Sequence, residues 1–295
     1  MQSTYIGARV MPQIVYHRPA ETQEALGLMR GSDPWAVVAG CTDFIPAVRK
    51  GAWAYPDGVN VIDIRDLPGF SGITLEQGKV RIGAATRLSD IVNSRTIEQS
   101  APLLSEAVQW MASLQVRNTA TLGGNLCTAS PAADTAPPLL ALQAQLEIVD
   151  RDGGISEIPL SSFFSGPGKS ECGSGKLLKS VCFPAQQEND RTYWRKMGVR
   201  QAFTISVITI AAKARMDERI CTDACLAFGS VAPTPMRALK TEELIRGKEL
   251  THELIEQAAD LAQQEVSPIS DLRASAQYRR EMAGVLTTRA LKGML

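Results

Sequence analysis

The chain has 295 residues, 44% of them hydrophobic, and its 31 lysines and arginines are matched by 31 aspartates and glutamates. This length suffices for two domains or for one large one, and the neutral balance gives no electrostatic basis for binding nucleic acid or an anionic membrane. The sequence has no apolar run of about 18 residues, and its first ten residues, MQSTYIGARV, lack the apolar core of a signal peptide, so we expect a cytoplasmic protein.

Short strands and short helices alternate along the first 184 residues. Apolar spacing predicts strands at residues 14–16, 36–39, 59–64 and 144–150, and a hairpin around Gln77-Gly78. It predicts helices at residues 22–30, 44–49, 88–93, 102–112 and 137–142. The Gly- and Ser-rich stretch SGPGKSECGSGK, residues 165–176, predicts a surface loop.

A polar stretch, AQQENDR at residues 185–191, predicts a link between two domains. The β-branched stretches 203–215 and 220–232 flank a short polar joint and predict a hairpin. Helical spacing follows at residues 241–246, 251–264 and 275–295. This order predicts an α+β chain with one domain at 1–184, divided at about residues 58 and 59, and a second at 185–295.

The segment VVAGCTDFIPAVRKG, residues 37–51, has the pattern of a strand, a tight polar turn and a helix. Backbone N–H groups in such a turn, together with a helix N-terminus, can bind an anion. The alternative is a simple capped turn with Thr42 or Asp43 as the N-cap.

A second segment, TLGGNLCTASPAAD at residues 121–134, contains two adjacent glycines. Gly123 and Gly124 would let a pyrophosphate approach the main chain closely. Thr121, Asn125 and Thr128 would supply polar side chains beside it, and Asp134 could accept a hydrogen bond from a sugar hydroxyl. The alternative is a β-bulge followed by a Ser-Pro turn.

Other types of site are not supported by the sequence. The six cysteines form no CxxC pair and the two histidines lie near no nucleophile motif, so we expect free thiols and neither a metal site nor a catalytic triad. The GKS at residues 168–170 lacks the leading glycine of a phosphate-binding loop, and no GxGxxG motif follows a strand.

The two glycine segments resemble those of a known family. AGCTD at 39–43 resembles an AGGTD turn, and VRNTATLGGNLCTASPAAD at 116–134 resembles the IRNxxTxGGNxxxxSPxxD segment, of the flavoprotein subunits of molybdenum hydroxylases. Xanthine dehydrogenase and the medium subunit of carbon monoxide dehydrogenase belong to that family. The stretches FSGPGK (164–169), LAFGSVAPTPMRA (226–238) and DLRASAQYRREM (271–282) resemble bacterial xanthine dehydrogenase FAD subunits.

The resemblance implies a vanillyl-alcohol-oxidase (PCMH)-type FAD-binding domain, followed by a carbon monoxide dehydrogenase flavoprotein C-terminal domain. It implies that FAD contacts residues Ala39, Gly40, Cys41, Thr42, Asp43, Arg117, Thr121, Gly123, Gly124, Asn125, Thr128, Asp134 and Leu178. Residues 39–43 and 121–125 would hold the pyrophosphate, and Thr128 and Asp134 the ribityl or ribose hydroxyls. We expect the FAD to be noncovalent because no His lies near either segment. Cys41 replaces the family's usual Gly, which predicts a turn with φ > 0 at that position.

The function implied is electron transfer. Electrons would arrive from iron–sulfur centres on a small partner subunit, reduce the FAD and leave to NAD+ or another acceptor. A large partner subunit would carry the molybdopterin, so we expect no acid–base catalytic residue on this chain. Two alternatives stay open, namely a stand-alone flavin reductase or oxidase and a nucleotide-binding assembly module without flavin.

Overall fold

The computed structural model describes residues 12–51, 55, 58–200 and 204–295, and it confirms the α+β class. The first part of the chain contains the strands β1 (Ile14–His17), β2 (Trp35–Val38), β3 (Val59–Asp63), β4 (Ile73–Glu76), β5 (Lys79–Gly83), β6 (Gln145–Val149), β7 (Ile155–Pro159), β8 (Phe164–Gly166), β9 (Lys169–Ser170) and β10 (Leu177–Pro184). Its helices are α1 (Thr22–Met29), α2 (Phe44–Lys50), α3 (Leu88–Val92), α4 (Arg95–Ser100), α5 (Pro102–Gln109), α6 (Leu114–Arg117), α7 (Leu122–Cys127) and α8 (Ala136–Ala141), with 3-10 turns at Leu160–Ser162 and Glu171–Ser174.

The second part of the chain is a sheet followed by helices. Its elements are β11 (Asp190–Gly198), β12 (Ser206–Asp217), β13 (Ile220–Gly229), β14 (Met236–Arg237), α9 (Leu239–Ile245), β15 (Lys248–Glu249), α10 (His252–Glu265) and α11 (Ala276–Lys292). The predicted hairpin is present as β12 and β13, although residue 203, where its first strand was expected to begin, lies outside the described residues.

The first sheet is parallel and has the order β1-β3-β2. The predicted division of the first domain at about residues 58 and 59 would separate β3, the central strand, from the other two strands of this sheet. A division after β3 would keep the three strands together. The turn at residues 39–43 lies at the carboxyl end of β2, the edge where ligands bind in parallel α/β sheets.

The second sheet is antiparallel, with the order β4-β5-β10-β6-β7, and it shares a hydrophobic core with α3, α4, α5, α7 and α8. The third sheet has the order β11-β12-β13-β14, and α8 packs against both β12 and β13. One hydrophobic core therefore includes Leu139 and Val181 from the first part together with Trp194 and Ala227 from the second. This shared core joins the second sheet to the third sheet.

One local prediction was wrong. Residues 165–176 form the end of a hairpin, β8–β9, and a 3-10 turn instead of an irregular loop. The predicted link is present at residues 185–189, which connect β10 to β11, but its last two residues belong to β11. There the buried carboxylate of Asp190 pairs with Lys213 and Arg215 of the neighbouring strand, so its charge is balanced inside the protein. The segment around Gly123 is helical, which excludes the alternative of a β-bulge. In the described part of the chain, no helix has both the length and the apolar character needed to cross a bilayer.

Candidate functional site

The two segments singled out in the sequence meet in the structure. Thr128 Oγ1 donates to Asp43 Oδ2 at 3.3 Å, so α7 and the 39–43 turn are in contact. A Cβ added at Gly40 would overlap the carbonyl oxygen of Thr119, just before α7. Gly40 thus permits the close packing of the two segments, which are about 80 residues apart in the chain.

The 39–43 turn presents a row of unused backbone donors. Among the described residues, the N–H groups of residues 40–43 have no hydrogen-bond acceptor. Cys41 has φ 57, which confirms the predicted left-handed conformation. Asp43 is the N-cap residue of α2, but its side chain makes no capping bond and accepts from Thr128 instead. Consecutive free N–H groups around a left-handed residue form the concave, anion-binding arrangement called a nest.

The start of α7 differs, because its first backbone donors already have acceptors. Leu122 N donates to Thr86 O at 3.0 Å, Gly123 N to Ala84 O at 2.7 Å, and Gly124 N to the capping Thr121 Oγ1 at 3.1 Å. The free N–H groups available to an anion therefore lie on the 39–43 turn. Contact of the two glycines with a pyrophosphate stays a prediction.

The two adjacent glycines have different surroundings. A Cβ at Gly123 would lie 2.6 Å from Ala84 Cβ and 2.8 Å from Ala84 O, so this glycine permits the approach of α7 to the end of β5. Gly124 is exposed, and a Cβ there would meet only Thr121 Oγ1, at 2.9 Å. Both glycines have ordinary negative φ values. Of the two glycines, only Gly124 is exposed and has no backbone atom in the place of a Cβ.

A cavity of about 530 Å³ lies beside α7. The sequence-predicted residues that line it are Ala39, Thr121, Gly123, Gly124 and Leu178. Apolar side chains from β2 and the buried Leu178 of β10 form one part of its wall, and the β8–β9 hairpin with the following turn forms another. Sequence reasoning missed the contribution of Trp35, Val37 and Lys169; the alternating pattern of β2 was the available signal for the first two.

Asp134 lies outside this lining, in a buried ion pair. Its carboxylate accepts from Lys196 Nζ at 2.6 Å and from Ser206 Oγ at 2.5 Å. Burial raises the pKa of Asp134, and the opposing effects of Lys196 and Ser206 do not fully offset it. No sequence signal connected Asp134 to these partners, because they lie in β11 and β12, more than 60 residues further along the chain.

The other predicted residues also have protein partners. Arg117 Nη1 donates to Met111 O at 2.6 Å, at the end of the link between α5 and α6. Asn125 Oδ1 accepts from Thr135 Oγ1 at 2.6 Å, and Thr128 Oγ1 also donates to Gly124 O at 2.9 Å. The contacts of these residues with a ligand stay predictions. Thr42 is half-buried in the 39–43 turn, and its contact with a ligand is likewise a prediction.

Two thiols also line the cavity. They belong to Cys127, the last residue of α7, and to Cys172, in the 3-10 turn after β9. The neighbouring Cys172 thiol and burial both raise the pKa of Cys127. A thiol with a raised pKa is a weak nucleophile, which favours noncovalent attachment of a ligand at this position.

Comparison with known families matches both parts of the chain. Residues 10–186 match the family described as "FAD binding domain in molybdopterin dehydrogenase", and residues 193–294 match the "CO dehydrogenase flavoprotein C-terminal domain". The chain is 32% identical over 278 residues to the xanthine dehydrogenase FAD-binding subunit of Escherichia coli O157:H7, covering 94% of each chain. It is 31% identical to the glyceraldehyde dehydrogenase medium chain of Sulfolobus acidocaldarius, covering 95% of this chain and 98% of that one.

Solved structures agree with this assignment. A carbon monoxide dehydrogenase chain from Hydrogenophaga pseudoflava superposes with a TM-score of 0.90 at 29% identity, covering 96% of this chain and 98% of that one. The fold, the two family matches and the full-length relatives lead to one conclusion. This chain belongs to the family of FAD-binding oxidoreductase subunits found in molybdopterin dehydrogenases such as xanthine and carbon monoxide dehydrogenase.

Proposed function

We propose that this chain passes electrons from iron–sulfur centres on a small partner subunit, through its FAD, to NAD+ or another acceptor. A large partner subunit would hold the molybdopterin and oxidise the substrate. FAD supplies the redox chemistry when bound, and the protein binds and orients it. The names of the relatives support a xanthine-type complex in particular. We also propose the domain division at residue 184 and a cytoplasmic location, on the sequence grounds given above.

The observation that carries the proposed FAD site is the free donor row of the 39–43 turn, beside the 530 Å³ cavity. A pyrophosphate is the part of FAD that would accept hydrogen bonds from several consecutive N–H groups. The apolar walls at Val37 and Leu178 suit a flat, largely apolar ring system. The residues present therefore fit FAD, with its pyrophosphate at the turn.

Binding of flavin derivatives to the flavin-free protein tests this placement. If the turn binds the pyrophosphate, riboflavin should bind at least about 100-fold more weakly than FAD, because it lacks the charged acceptors. Flavin fluorescence quenching measures both affinities. Equal affinities would show that the pyrophosphate makes no contact of consequence and would contradict the placement.

Two experiments distinguish the electron-transfer role from the alternatives. A visible flavin spectrum in the purified chain would exclude the flavin-less assembly module, and copurification with two partner chains would disfavour a stand-alone reductase or oxidase. The isolated chain should hydroxylate no purine, although it should pass electrons from NADH to an artificial dye if NAD+ is the acceptor. Purine turnover by the isolated chain would contradict the subunit assignment.

A further inference from the structure

Lys169 is a charged residue of the cavity beside α7 that neither glycine segment includes. It lies in β9 of the β8–β9 hairpin and is exposed. It lines the same cavity as Ala39 and Gly124, which are both predicted to lie at the FAD pyrophosphate. Among the residues that the structure describes, Lys169 has neither a carboxylate partner nor a side-chain hydrogen bond. Its ammonium group is therefore open to a ligand.

Two hydrogen bonds place Lys169 beside the C-terminal end of α7. Gly168 N donates to Ala129 O at 2.9 Å, and Ser170 Oγ donates to Cys127 O at 3.5 Å. The residues before and after Lys169 are thus both bonded to the end of this helix. The position of the lysine backbone is fixed there by the chain on either side of it.

The same end of α7 is bonded to the 39–43 turn, which carries the free donor row. Thr128, the C-cap residue of α7, donates from its Oγ1 to Asp43 Oδ2 at 3.3 Å. The hairpin and the turn therefore both contact residues 127–129. A lysine side chain has a flexible four-carbon stem, so an ammonium group at Lys169 can reach an anion that the turn holds.

The charges around the cavity favour an anion near Lys169. The charged residues of its lining are Lys169, Glu171 and Lys176, and the last two pair with each other at 3.0 Å. Lys169 is therefore the charge that no other lining residue balances. The 39–43 turn offers backbone N–H groups but no cation, and it ends in the carboxylate of Asp43. A pyrophosphate is negatively charged on each phosphate, and a lysine binds such a group as a point charge.

We propose that Lys169 is a further FAD-binding residue, whose ammonium group pairs with the pyrophosphate held at the 39–43 turn. This role rests on the proposed FAD site. The backbone N–H groups orient the pyrophosphate, and Lys169 balances part of its charge from the opposite segment of chain. The β8–β9 hairpin thereby contributes a charged contact to FAD that flavins without phosphate do not make.

Flavin titration of substituted proteins tests this contact. Lys169→Met keeps a long side chain and removes its charge, so FAD should bind roughly 10-fold more weakly. Riboflavin, which has no phosphate, should bind as it does to the unmodified protein. Lys169→Arg keeps the charge and should retain most of the FAD affinity. Fluorescence quenching on the flavin-free proteins measures each affinity.

Lys240→Met is the matched control. Lys240 is an exposed lysine of α9 and is not among the residues that line the cavity, so neither the FAD nor the riboflavin affinity should change. Salt provides a second readout, because it screens an ammonium–phosphate pair. The difference in FAD affinity between the unmodified protein and Lys169→Met should therefore shrink as ionic strength rises.

Chemical labelling checks the contact in the protein without substitutions. Saturating FAD should slow the acetylation of Lys169 by acetic anhydride several-fold, and saturating riboflavin should not. Lys240 should be acetylated at the same rate with either flavin. Peptide mass spectrometry measures both rates, and equal labelling of Lys169 with FAD and with riboflavin would overturn the contact.

Failure of this contact can be told apart from failure of the FAD site. If the unmodified protein strongly prefers FAD to riboflavin and Lys169→Met binds FAD equally well, the pyrophosphate is bound without Lys169 and the proposal is wrong. Equal weakening of FAD and riboflavin binding by Lys169→Met would assign the lysine a structural role and would also overturn it. Equal binding of the two flavins by the unmodified protein would instead contradict the pyrophosphate site itself, and the role of Lys169 with it.

Discussion

Lys196 Nζ lies 2.6 Å from Asp134 Oδ2, and this ion pair connects the two parts of the chain. Asp134 is in the segment between α7 and α8, whereas Lys196 is in β11. Both side chains are at most 10% exposed, and Ser206 at the start of β12 donates to the other carboxylate oxygen. The pair is therefore shielded from solvent at the junction of the first part and the third sheet.

Removing the charge of Asp134 should destabilise the protein. Asp134→Asn leaves Lys196 buried without its anion, which should lower the free energy of unfolding by about 3 kcal/mol. Urea unfolding of the flavin-free protein measures this without a contribution from ligand binding. Asp66→Asn is the control, because its pair with Arg18 is more than half exposed and should contribute less than about 1 kcal/mol. Equal losses in the two variants would contradict the importance of the buried pair.

The two glycines of α7 should respond differently to substitution. Gly123→Ala places a methyl group against Ala84 and should destabilise the fold by about 1–3 kcal/mol, because backbone atoms must move. Gly124→Val should cost the fold less than Gly123→Ala, because its Cβ would meet only the Thr121 hydroxyl and no backbone atom, and it should reduce FAD affinity strongly because Gly124 borders the cavity. Thermal unfolding and flavin titration separate the two effects. Full FAD content in Gly124→Val would show that the flavin lies elsewhere.

The left-handed conformation of Cys41 leads to a third prediction. A non-Gly residue at φ 57 is strained by about 1–2 kcal/mol, and Cys41→Gly removes this strain. The glycine also makes the unfolded chain more flexible, which opposes the gain by about 0.4–1 kcal/mol. Stability should therefore stay the same or rise slightly, and FAD affinity should persist because the turn offers backbone N–H groups. A clear fall in affinity, or a shifted flavin reduction potential, would show that the thiol itself contributes.

FAD should be released by denaturation. The thiol of Cys127 is the cysteine thiol nearest the glycines in the sequence, but its raised pKa disfavours attack on a flavin. Acid precipitation should leave the yellow colour in the supernatant. Colour that stays with the protein pellet would indicate a covalent link, and loss of that colour in Cys127→Ser would assign it.

Asp271 should make stability dependent on pH in the acid range. Burial alone would raise the pKa of Asp271, but hydrogen bonds from Arg273 and Arg279 outweigh it and lower the pKa from 3.8 to about 2. Because the folded state lowers this pKa, the stabilising contribution is complete well above pH 3.8 and is lost as pH falls towards about 2.

The difference in Tm between the unmodified protein and Asp271→Asn measures this contribution. It should be constant above about pH 5 and should shrink steadily from there towards about pH 2. Asp66→Asn again serves as an exposed control with a small difference throughout. A difference for Asp271→Asn that is independent of pH would show that the carboxylate charge does not matter.

Local chemistry in the sequence determined most of the regular elements. Helical spacing predicted α10 and α11 to within a residue or two at their starts, and β-branched runs around a short polar joint predicted the β12–β13 hairpin. These elements depend on residues that are neighbours in the chain, so their signals are local. The left-handed conformation of Cys41 was expected from the family resemblance, because the family usually has Gly at this position, and the structure contains it.

Only the tertiary structure decided what the motif residues face. Gly123 packs against Ala84 instead of lying free, Asp134 pairs with a lysine in another sheet, and the unused donors lie on the 39–43 turn. The last two residues of the predicted link belong to β11, and the sequence did not show this because the partners of Asp190 are more than 20 residues away. Each of these contacts forms when distant segments pack together, and their residue types alone do not specify which segments meet.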